Sequence, residues 1–600
     1  MTSHLSLNLA ALRNLYRTRE AKPSEIVAEI YRRIQATALE PVWISIVPRE
    51  AAISRARKLE SDSLAAAKPL FGVPFAVKDN IDVAGLPTTA GCPAYAYSPA
   101  GNATVVQNLV DAGAIPIGKT NLDQFATGLV GTRTPYGACS SVFDQRYISG
   151  GSSSGSAVAV AQNLVSFALG SDTAGSGRVP AAFNNLIGLK PTRGLLSTLG
   201  LVPACRTLDC VSILAKTCHD AHTVWQAARG FDPLDTFSRA PAAGQDAAPW
   251  LGGPFRFGAP ADHQLEFFGD EEAAALYRKA LAQIEGLGGQ KVEIDFSPFR
   301  GAADLLYSGP WVAERLAEFR TFLDSHAADM DAIVRKIISG AERYTAVEAF
   351  QADYRLRELR RATEAEWQRM DVLVLPTTGT IYSHEDVARE PVRLNSNLGY
   401  YTNFVNLLDL AAVAVPAGFR SNGLPFGISF LGPAFSDEAL LWVADVYHRA
   451  HTEVPGPAVE LERCPPGCIP VAVVGAHLTG QQLNWQLTER GARRVKICRT
   501  ARGYRLYALD RSVPPKPGLV RDDAFEGPGI EVEVWAVPEN CFGSFVAAVR
   551  PPLGIGSATL DSGEMVKCFI CEPYAVAGSA EITRFGGWRG YLSREGTRSA

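Results

Sequence analysis

The sequence predicts an α/β fold with a central mixed sheet covered by helices, followed by a small domain made mostly of strands. Up to about Gly194, segments typical of strands alternate with segments at helical spacing, and the alternation returns later in the chain. After a Pro-rich passage the pattern changes to short strands with few helices between them. We therefore expect domains at residues 1–455 and 471–600, joined by a linker at residues 456–470.

Composition and charge favour a soluble globular protein and argue against nucleic-acid and membrane partners. The 600 residues exceed the size at which one core keeps growing, and a hydrophobic fraction of 47% with a charged fraction of 20% is typical of a soluble globular chain. The net charge is −4 and there is no basic cluster, so no nucleic-acid partner is expected. The N-terminus lacks the apolar core of a signal peptide, and no stretch approaches 18 apolar residues. We expect a cytoplasmic protein without membrane contact.

The spacing of apolar residues predicts the elements in order. Two helices lie between residues 7 and 37, and the second starts at Pro23, because proline is tolerated in a first helical turn. A Pro-, Ala- and Asp-rich connection covers residues 230–253. The other helices of the first domain are predicted at residues 105–112, 214–229, 271–286, 299–320, 346–370 and 437–451, with a helix start at 121–127. Its strands are predicted at residues 71–78, 115–120, 255–258, 291–296, 372–378, 406–419 and 427–432. Those of the second domain are predicted at residues 471–475, 495–498, 504–509, 531–537 and 564–569.

The eleven cysteines do not form a disulfide framework, because an odd number in a reducing compartment favours free thiols. Two close pairs, Cys464 with Cys468 and Cys568 with Cys571, could together form a zinc site. The residues between the second pair, Phe-Ile, are typical of a buried strand and argue against that site. No metal and no cofactor are expected.

The Gly- and Ser-rich stretch from Ser149 to Arg193 carries the strongest sign of chemistry. Glycines frame two serine-bearing turns around a buried apolar run, which a flexible linker would not contain. In the second turn, consecutive backbone N–H groups can face an anion while Ser176 supplies a nucleophile. An alternative is a nucleophile elbow on Ser153, but that pattern needs a strand directly before it, and residues 144–147 make a poor strand.

Lys78 follows a strand of apolar residues and precedes Asp-Asn. Taken alone, a lysine in this position most often caps a strand at the surface. The two serine turns give it a second interpretation, since Lys78, Ser152 and Ser176 are separated by 74 and 24 residues.

These three segments resemble the amidase signature family in order and in spacing, over residues 20 to 450. The resemblance implies that Ser176 is the nucleophile, that Ser152 is a bridging serine preceded by a cis peptide, and that Lys78 is the base. Lys78 can accept a proton only when it is neutral, a state that burial favours. The resemblance also implies an oxyanion hole, formed by the N–H groups of Thr173, Ala174, Gly175 and Ser176. We expect Asp172 and Arg178 to form a buried pair that supports this loop.

The Ala-Gly-Ser-Gly sequence ending at Gly177 departs from the usual pattern of the family, which has two glycines before the nucleophile and a large apolar residue after it. Three features are similar to one subfamily, the allophanate hydrolases: residues 131–137, residues 307–315 and the additional C-terminal domain. The resemblance implies that Tyr307 and Arg315 bind the substrate carboxylate, with Arg133 as a further candidate. A guanidinium suits a carboxylate because it donates two parallel hydrogen bonds. Eight residues separate Tyr307 from Arg315, a little over two helical turns, so we expect them on one face of a helix.

Residues 474–487 of the second domain also resemble the allophanate hydrolases. This resemblance implies that the second domain has a fold of the gamma-glutamylcyclotransferase type. His477 is its candidate acid/base. The resemblance implies that the chain releases ammonia and carbon dioxide from allophanate in urea degradation, as a homodimer with urea carboxylase as a possible partner. The alternatives are another small-molecule amidase or an amidotransferase subunit, with a second domain that serves only assembly.

Overall fold

The computed structural model describes residues 5–37, 41–240, 255–460, 464, 467–509 and 514–595. Two compact units are present: the described residues within 5–240 and 256–459 form the first, and the second contains residue 255 and the described residues from 460 onward. The predicted linker at residues 456–470 spans this division, and its residues 461–463, 465 and 466 lie outside the described residues. So do residues 241–253 of the predicted connection.

Helices of the first unit include two, Pro23–Ala36 and Asp437–His451, that begin close to the positions predicted from the sequence. In chain order the helices are α1 Leu9–Thr18, α2 Pro23–Ala36, α3 Arg49–Ser61, α4 Thr104–Asp111, α5 Ser154–Ala161, α6 Arg178–Phe183, α7 Cys218–Ala228, α8 Glu271–Gly286, α9 Ser297–Ser308, α10 Val312–His326, α11 Ala332–Ser339, α12 Ala346–Trp367, α13 His384–Arg389, α14 Arg393–Leu398, α15 Phe404–Leu407 and α16 Asp437–His451. Short 3₁₀ turns occupy Ala65–Ala67, Pro93–Tyr95, Gln124–Ala126, Asp262–Gln264, Ala327–Asp329 and Gly340–Arg343.

The large sheet contains eleven of the described strands and is mixed, as predicted. Its strands are β1 Trp43–Ile46, β2 Pro74–Lys78, β3 Ile115–Thr120, β4 Phe167–Asp172, β5 Ile187–Lys190, β6 Cys210–Ala215, β7 Phe255–Pro260, β8 Gly289–Ile294, β9 Val372–Pro376, β10 Leu410–Phe419 and β11 Pro425–Pro433. Their order across the sheet is β1-β3-β2-β4-β6-β5-β10-β11-β9-β7-β8. Strand β2 runs parallel to both neighbours, β3 and β4, whereas β6, β5, β10 and β11 pair antiparallel.

Most central strands are buried along their whole length, so they appear in the sequence as continuous apolar runs. Helix α5 packs against β2, β3, β4 and β6 and covers the part of the sheet where the parallel strands end. The predicted site residues come from these strand ends and from the turns that follow them.

Three predictions of elements differ from the structure. The segment at 214–229 begins in strand β6, because Leu214 pairs with β4 and β5, and its helix starts only at Cys218 after the Thr217 N-cap. The segment at 121–127 contains only a 3₁₀ turn, within which Phe125 has a positive φ of 52°. The stretch at 299–320 is two helices, broken around Pro310, where proline can begin a new helix but not continue the previous one.

The second unit is rich in strands, as predicted. It contains β12 Cys468–Val473, β13 Arg493–Arg499, β14 Tyr504–Leu509, β15 Lys516–Arg521, β16 Glu531–Pro538, β17 Leu553–Thr559, β18 Met565–Cys571 and β19 Ala580–Glu581, with α17 Trp485–Thr488, α18 Glu539–Ala547, α19 Trp588–Glu595 and 3₁₀ turns at Pro573–Ala575 and Thr583–Phe585. One sheet has the order β13-β16-β12-β18-β17 and the other β15-β14-β19.

Among the helices of the described residues, none is both long enough and apolar enough to cross a membrane. All eleven cysteines are thiols. Within the described ranges, no group of three or more His, Cys, Asp or Glu side chains is arranged to hold a metal ion. The Cys568 and Cys571 pair lies on strand β18, as the apolar residues between them indicate.

Candidate active site

Lys78 lies at the end of β2, beside the end of the parallel strand β4. In the register of these strands Val77 is paired with Leu169, which brings Lys78 next to Ser171. The side chain is fully buried, and its Nζ lies 2.7 Å from Ser152 Oγ and 2.8 Å from Ser171 Oγ. Lys78 is therefore not a surface cap, and no carboxylate within the described residues forms a salt bridge with it.

Ser152 stands in the turn before α5, and the Gly151–Ser152 peptide is cis. The turn is held against the preceding loop, where Asp123 N–H donates to Ser152 O at 3.1 Å. Gly151 is required here because a Cβ at this position would lie 2.2 Å from Asp123 Oδ2. The glycines of the motif thus allow two backbone segments to approach closely.

Ser176 is buried in the turn between β4 and α6. Its Oγ lies 3.5 Å from Gly128 O, and Ser153 N–H donates to its carbonyl oxygen at 3.3 Å. No hydrogen bond joins the hydroxyls of Ser176 and Ser152 in the part of the chain that the structure describes. Catalytic hydrogen bonds are often long or poorly aligned before substrate binds, so this geometry does not rule out transfer of a proton between the two serines.

The backbone around Ser176 presents unused donors. The N–H groups of Thr173, Ala174 and Ser176 have no acceptor among the described residues. The Gly175 N–H, in contrast, donates to Asp172 Oδ1 at 2.8 Å. The first three are therefore available to a developing oxyanion, whereas Gly175 is already bonded.

Asp172 and Arg178 form the expected buried pair. Arg178 Nε donates to Asp172 Oδ2 and its NH2 group to Oδ1, both at 2.9 Å, and Gly177 N–H adds a bond to Oδ2 at 3.1 Å. Burial acts to raise the pKa of Asp172, but Arg178 outweighs it and leaves the pKa below its ordinary value. The pair fixes the turn on which Ser176 lies.

Burial lowers the pKa of Lys78 to about 7, although Asp123, Asp172 and Asp209 act in the opposite direction. Near neutral pH a substantial fraction of Lys78 is therefore the free amine. This is the form that can take a proton from a serine hydroxyl.

Arg315 is completely buried, and its hydrogen-bond acceptors among the described residues are all neutral. Its Nε donates to Thr127 Oγ1 at 3.3 Å, its NH1 group to Cys205 Sγ at 2.8 Å, and its NH2 group to Tyr307 Oη at 3.5 Å. No salt bridge to Arg315 exists among the described residues. The expectation that Tyr307 and Arg315 share one helix was wrong, because Tyr307 lies on α9 and Arg315 on α10; the break between these helices still lets the side chains meet.

Asp209 connects the turn of Ser176 to the surroundings of Arg315. Its Oδ1 accepts a short hydrogen bond from the Thr173 hydroxyl, and its Oδ2 accepts the N–H groups of Ala204 and Cys205 at 2.8 and 3.0 Å. Burial raises the pKa of Asp209 to about 6, although the Thr173 hydroxyl and Arg315 favour the charged form. Asp209 lies in none of the sequence motifs that predicted the site.

Arg133 lies close to these groups but donates to main-chain carbonyls. Its NH1 group donates to Thr127 O at 2.9 Å and its NH2 group to Pro391 O at 2.8 Å. Thr127 thus lies between the two arginines, since its carbonyl binds Arg133 and its hydroxyl binds Arg315.

Ser153 does not stand at an elbow after a strand. Its hydroxyl is buried and donates to Ser171 O at 3.2 Å, and the residues before it form only isolated bridges. Ser171 and Asn80 are further residues that the sequence analysis missed: Asn80 Nδ2 donates to Ser171 Oγ at 3.2 Å, and that hydroxyl contacts Lys78. Ser171 is in the segment that carries Ser176, but only the pairing of β2 with β4 shows that it reaches Lys78.

His477 of the second unit lines a cavity of about 210 Å³ that is also lined by Gln486, Lys516, Arg550 and Phe569. Its ring stacks on Phe569 with centroids 4.8 Å apart, and its Nε2 is 3.0 Å from Gln486 Oε1. Burial lowers the pKa of His477, and the charge of Lys516 adds to this effect. The imidazole is thus mainly neutral at neutral pH, beside two cationic side chains.

Comparison with known proteins gives the family. Residues 25–441 match the family model described as amidase. The chain belongs to the amidase family. This confirms the resemblance drawn from Lys78 and the two serine turns. Residues 469–593 match the model described as allophanate hydrolase C-terminal domain.

Individual relatives agree with both matches. Urea amidolyase of Saccharomyces cerevisiae is 44% identical over 585 residues, which cover 92% of this chain and 31% of that protein. Urea amidolyase of Lachancea kluyveri is 43% identical over 579 residues, again covering 92% of this chain and 31% of that protein. The solved structure of Kluyveromyces lactis allophanate hydrolase is similar with a TM-score of 0.73 and 43% identity, covering 97% of this chain and 98% of that one. The chain spans about a third of the length of its first curated relatives.

Proposed function

We propose that this chain is an allophanate hydrolase, which cleaves the terminal amide of urea-1-carboxylate by acyl transfer and releases ammonia. The observation that carries the proposal is the buried guanidinium of Arg315, whose hydrogen-bond partners in the described part of the chain are all neutral. An isolated buried charge is costly, and a carboxylate ligand would compensate it. Similarity to a protein named allophanate hydrolase over nearly the whole chain supports the same substrate.

The reaction begins with neutral Lys78. Lys78 takes the proton of Ser152, Ser152 takes that of Ser176, and Ser176 Oγ attacks the amide carbon. The N–H groups of Thr173, Ala174 and Ser176 stabilise the oxyanion, and each such donor typically contributes about 3–4 kcal/mol. Gly175 acts by holding the loop through Asp172. The proton then returns through Ser152 to the leaving nitrogen, which departs as ammonia, and water hydrolyses the acyl group from Ser176.

The substrate carboxylate lies against Arg315 and Tyr307 in this proposal. A guanidinium can donate two parallel hydrogen bonds to a carboxylate, and the phenol adds a third. Arg133 contributes indirectly, because its bond to Thr127 O supports the residue whose hydroxyl holds Arg315. Binding the carboxylate end holds the terminal amide against Ser176, which lowers the entropic cost of reaction.

The second unit supplies the next step in our proposal. The first product is N-carboxycarbamate, a dianion, and the cavity of His477 has Lys516 and Arg550 on its lining. These cations suit a carboxylate ligand, and His477 is positioned as the acid/base for loss of carbon dioxide. The full chain with His477→Asn should release ammonia at the wild-type rate but carbon dioxide more slowly. Equal carbon dioxide release would favour a second unit that serves assembly only.

We further propose a cytoplasmic homodimer that works with a urea carboxylase. Eleven thiols suit a reducing compartment. The carboxylase is suggested by relatives named urea amidolyase, which are about three times as long as this chain. The mass of the purified chain in solution tests the dimer.

The decisive experiment compares allophanate with biuret, in which a neutral carboxamide replaces the carboxylate. Arg315→Met should lower kcat/KM for allophanate about 100-fold or more, since breaking a buried charge pair costs several kcal/mol, and should change biuret hydrolysis little. The control is Arg206→Met, which removes an exposed arginine from the same region. If Arg315→Met lost activity on both allophanate and biuret, or on neither, the substrate assignment would be wrong. If the unmodified chain hydrolysed neutral amides as well as allophanate, a general amidase or an amidotransferase subunit would be favoured.

A further inference from the structure

Cys205 is the neighbour of Arg315 that the proposed mechanism does not use. Its Sγ lies 2.8 Å from the NH1 group of Arg315 and 3.6 Å from Trp311 O, and both Cys205 and Arg315 are fully buried. The geometry gives the thiol two partners: S–H donates to the Trp311 carbonyl, and a sulfur lone pair accepts from the guanidinium.

The thiol carries no charge at neutral pH. Burial raises the pKa of Cys205 to about 12, and Asp209 and Glu314 add to that effect, which Arg315 only partly opposes. These two carboxylates make their hydrogen bonds away from the guanidinium, Asp209 with Thr173 and the 204–205 main chain, and Glu314 with Thr207. The positive charge of Arg315 is therefore held in place without being cancelled by direct contact.

Arg178 shows what a carboxylate does in the same kind of environment. It is equally buried, and Asp172 binds it through two parallel hydrogen bonds. In this pair the carboxylate compensates the charge of the guanidinium. A side chain at position 205 that carried a negative charge would satisfy Arg315 in the same way and would compete with a substrate carboxylate.

We propose that Cys205 is a specificity-determining residue: as a neutral acceptor it positions Arg315 and leaves its charge for the substrate carboxylate. The inference rests on the proposed function, in which Arg315 binds that carboxylate. This role of Cys205 explains why the site favours anionic amides over neutral ones. An anionic amide gains charge-assisted hydrogen bonds from the uncompensated guanidinium, whereas a neutral amide gains little from it.

The test compares two substitutions of nearly equal size, Cys205→Asp and Cys205→Asn, with allophanate, malonamate and biuret as substrates. Cys205→Asp should raise KM for both anionic substrates at least tenfold over Cys205→Asn, with a smaller change in kcat. The two variants should hydrolyse biuret with similar kcat/KM. Binding of malonamate to Ser176→Ala versions of both variants, measured by calorimetry, should show the same difference in the absence of turnover.

Equal KM values for the anionic substrates in Cys205→Asp and Cys205→Asn would overturn the inference. If Arg315→Met changes allophanate turnover but the Asp and Asn variants behave alike, only this inference fails; if Arg315→Met has no effect, the proposed function fails as well. Thr127→Asp and Thr127→Asn provide a second pair at another hydrogen-bond partner of Arg315, should Cys205→Asp not fold. There too, only the carboxylate variant should weaken malonamate binding.

Discussion

Lys78 and Lys119 lie on neighbouring strands of the sheet, one residue out of register, and their surroundings differ. They are at the ends of the parallel strands β2 and β3, where Lys78 is paired with Thr120 and Lys119 with Val77, and both side chains are fully buried. Lys119 Nζ lies 3.2 Å from Asp79 Oδ1 and 2.9 Å from Thr88 Oγ1. Burial lowers the pKa of both lysines, an effect that Asp79 opposes at Lys119. Among the described residues Lys78 donates hydrogen bonds to serine hydroxyls only, and burial lowers its pKa to about 7.

The arginines divide in the same way. Arg178 is bonded to Asp172, whereas Arg315 has three neutral partners. The two lysines are equally buried, and so are the two arginines. Within each comparison, the difference is whether a carboxylate contacts the cation. Of these four cations, Lys119 and Arg178 have their charge compensated by a carboxylate within the fold, whereas Lys78 and Arg315 are the ones we assign to binding a proton and a ligand.

The largest expected effect follows from removing the unpaired lysine. Lys78→Met should lower kcat/KM by about 10²–10⁴-fold, because it removes the general base.

The same substitution should also stabilise the folded chain at low pH. Below pH 7 the folded wild-type protein contains a buried, protonated Lys78, which lowers its stability. Between pH 7 and about 10, Lys78 loses its proton in the folded state but keeps it in the unfolded state, so the wild-type protein becomes more stable as pH rises. The stability advantage of the variant therefore shrinks over this range. Ammonia release and urea unfolding at pH 6 and 9 measure both effects.

The paired lysine should behave in the opposite way. Lys119→Met leaves Asp79 buried without its cation, which typically costs about 3–5 kcal/mol of stability. The folded fraction should keep most of its kcat, since Lys119 does not contact the serines. Urea unfolding checks the loss, and adding Asp79→Asn should restore much of it. If Lys119→Met abolished kcat in folded protein, the distinction between the two lysines would fail.

Much of the site could be predicted from sequence because it is encoded in short segments. Glycine-framed turns place Ser152 and Ser176, and the end of an apolar strand places Lys78. The structure brings Lys78 and Ser152 to 2.7 Å. The mixed sheet was predictable for a similar reason, since the alternation of elements is local.

The contacts around Arg315 were not predictable. Thr127 and Cys205 are 188 and 110 residues away in the chain and come from separate loops, which only the fold brings together. The break between α9 and α10 was also missed, although Pro310 was a visible signal. Leu214 was predicted to be helical because its apolar neighbours fit the spacing of a helix as well as that of a strand. In the structure it lies in a strand, because it pairs with β4 and β5.

A third prediction concerns the acid limb of kcat/KM, which should have an apparent pKa of about 7 if neutral Lys78 is required. The carboxylate of Asp209 raises the pKa of Lys78, so Asp209→Asn should lower it and move the limb to lower pH, by less than about one unit. Asp304→Asn, an exposed acid, serves as control. A limb that stays in place or moves upward would show that Asp209 does not influence the base.

The smallest expected effect is that of Ser171. Its hydroxyl contacts Lys78 at 2.8 Å and accepts from Asn80, and a hydrogen bond of this kind typically contributes about 1 kcal/mol. Ser171→Ala should therefore lower kcat for allophanate about fivefold and leave KM nearly unchanged, because Ser171 contacts the base and not Arg315. Ser171→Thr keeps the hydroxyl and should retain more activity. A change in KM alone would mean that Ser171 acts on the carboxylate site, and the separation between the unpaired lysine and the unpaired arginine would then be lost.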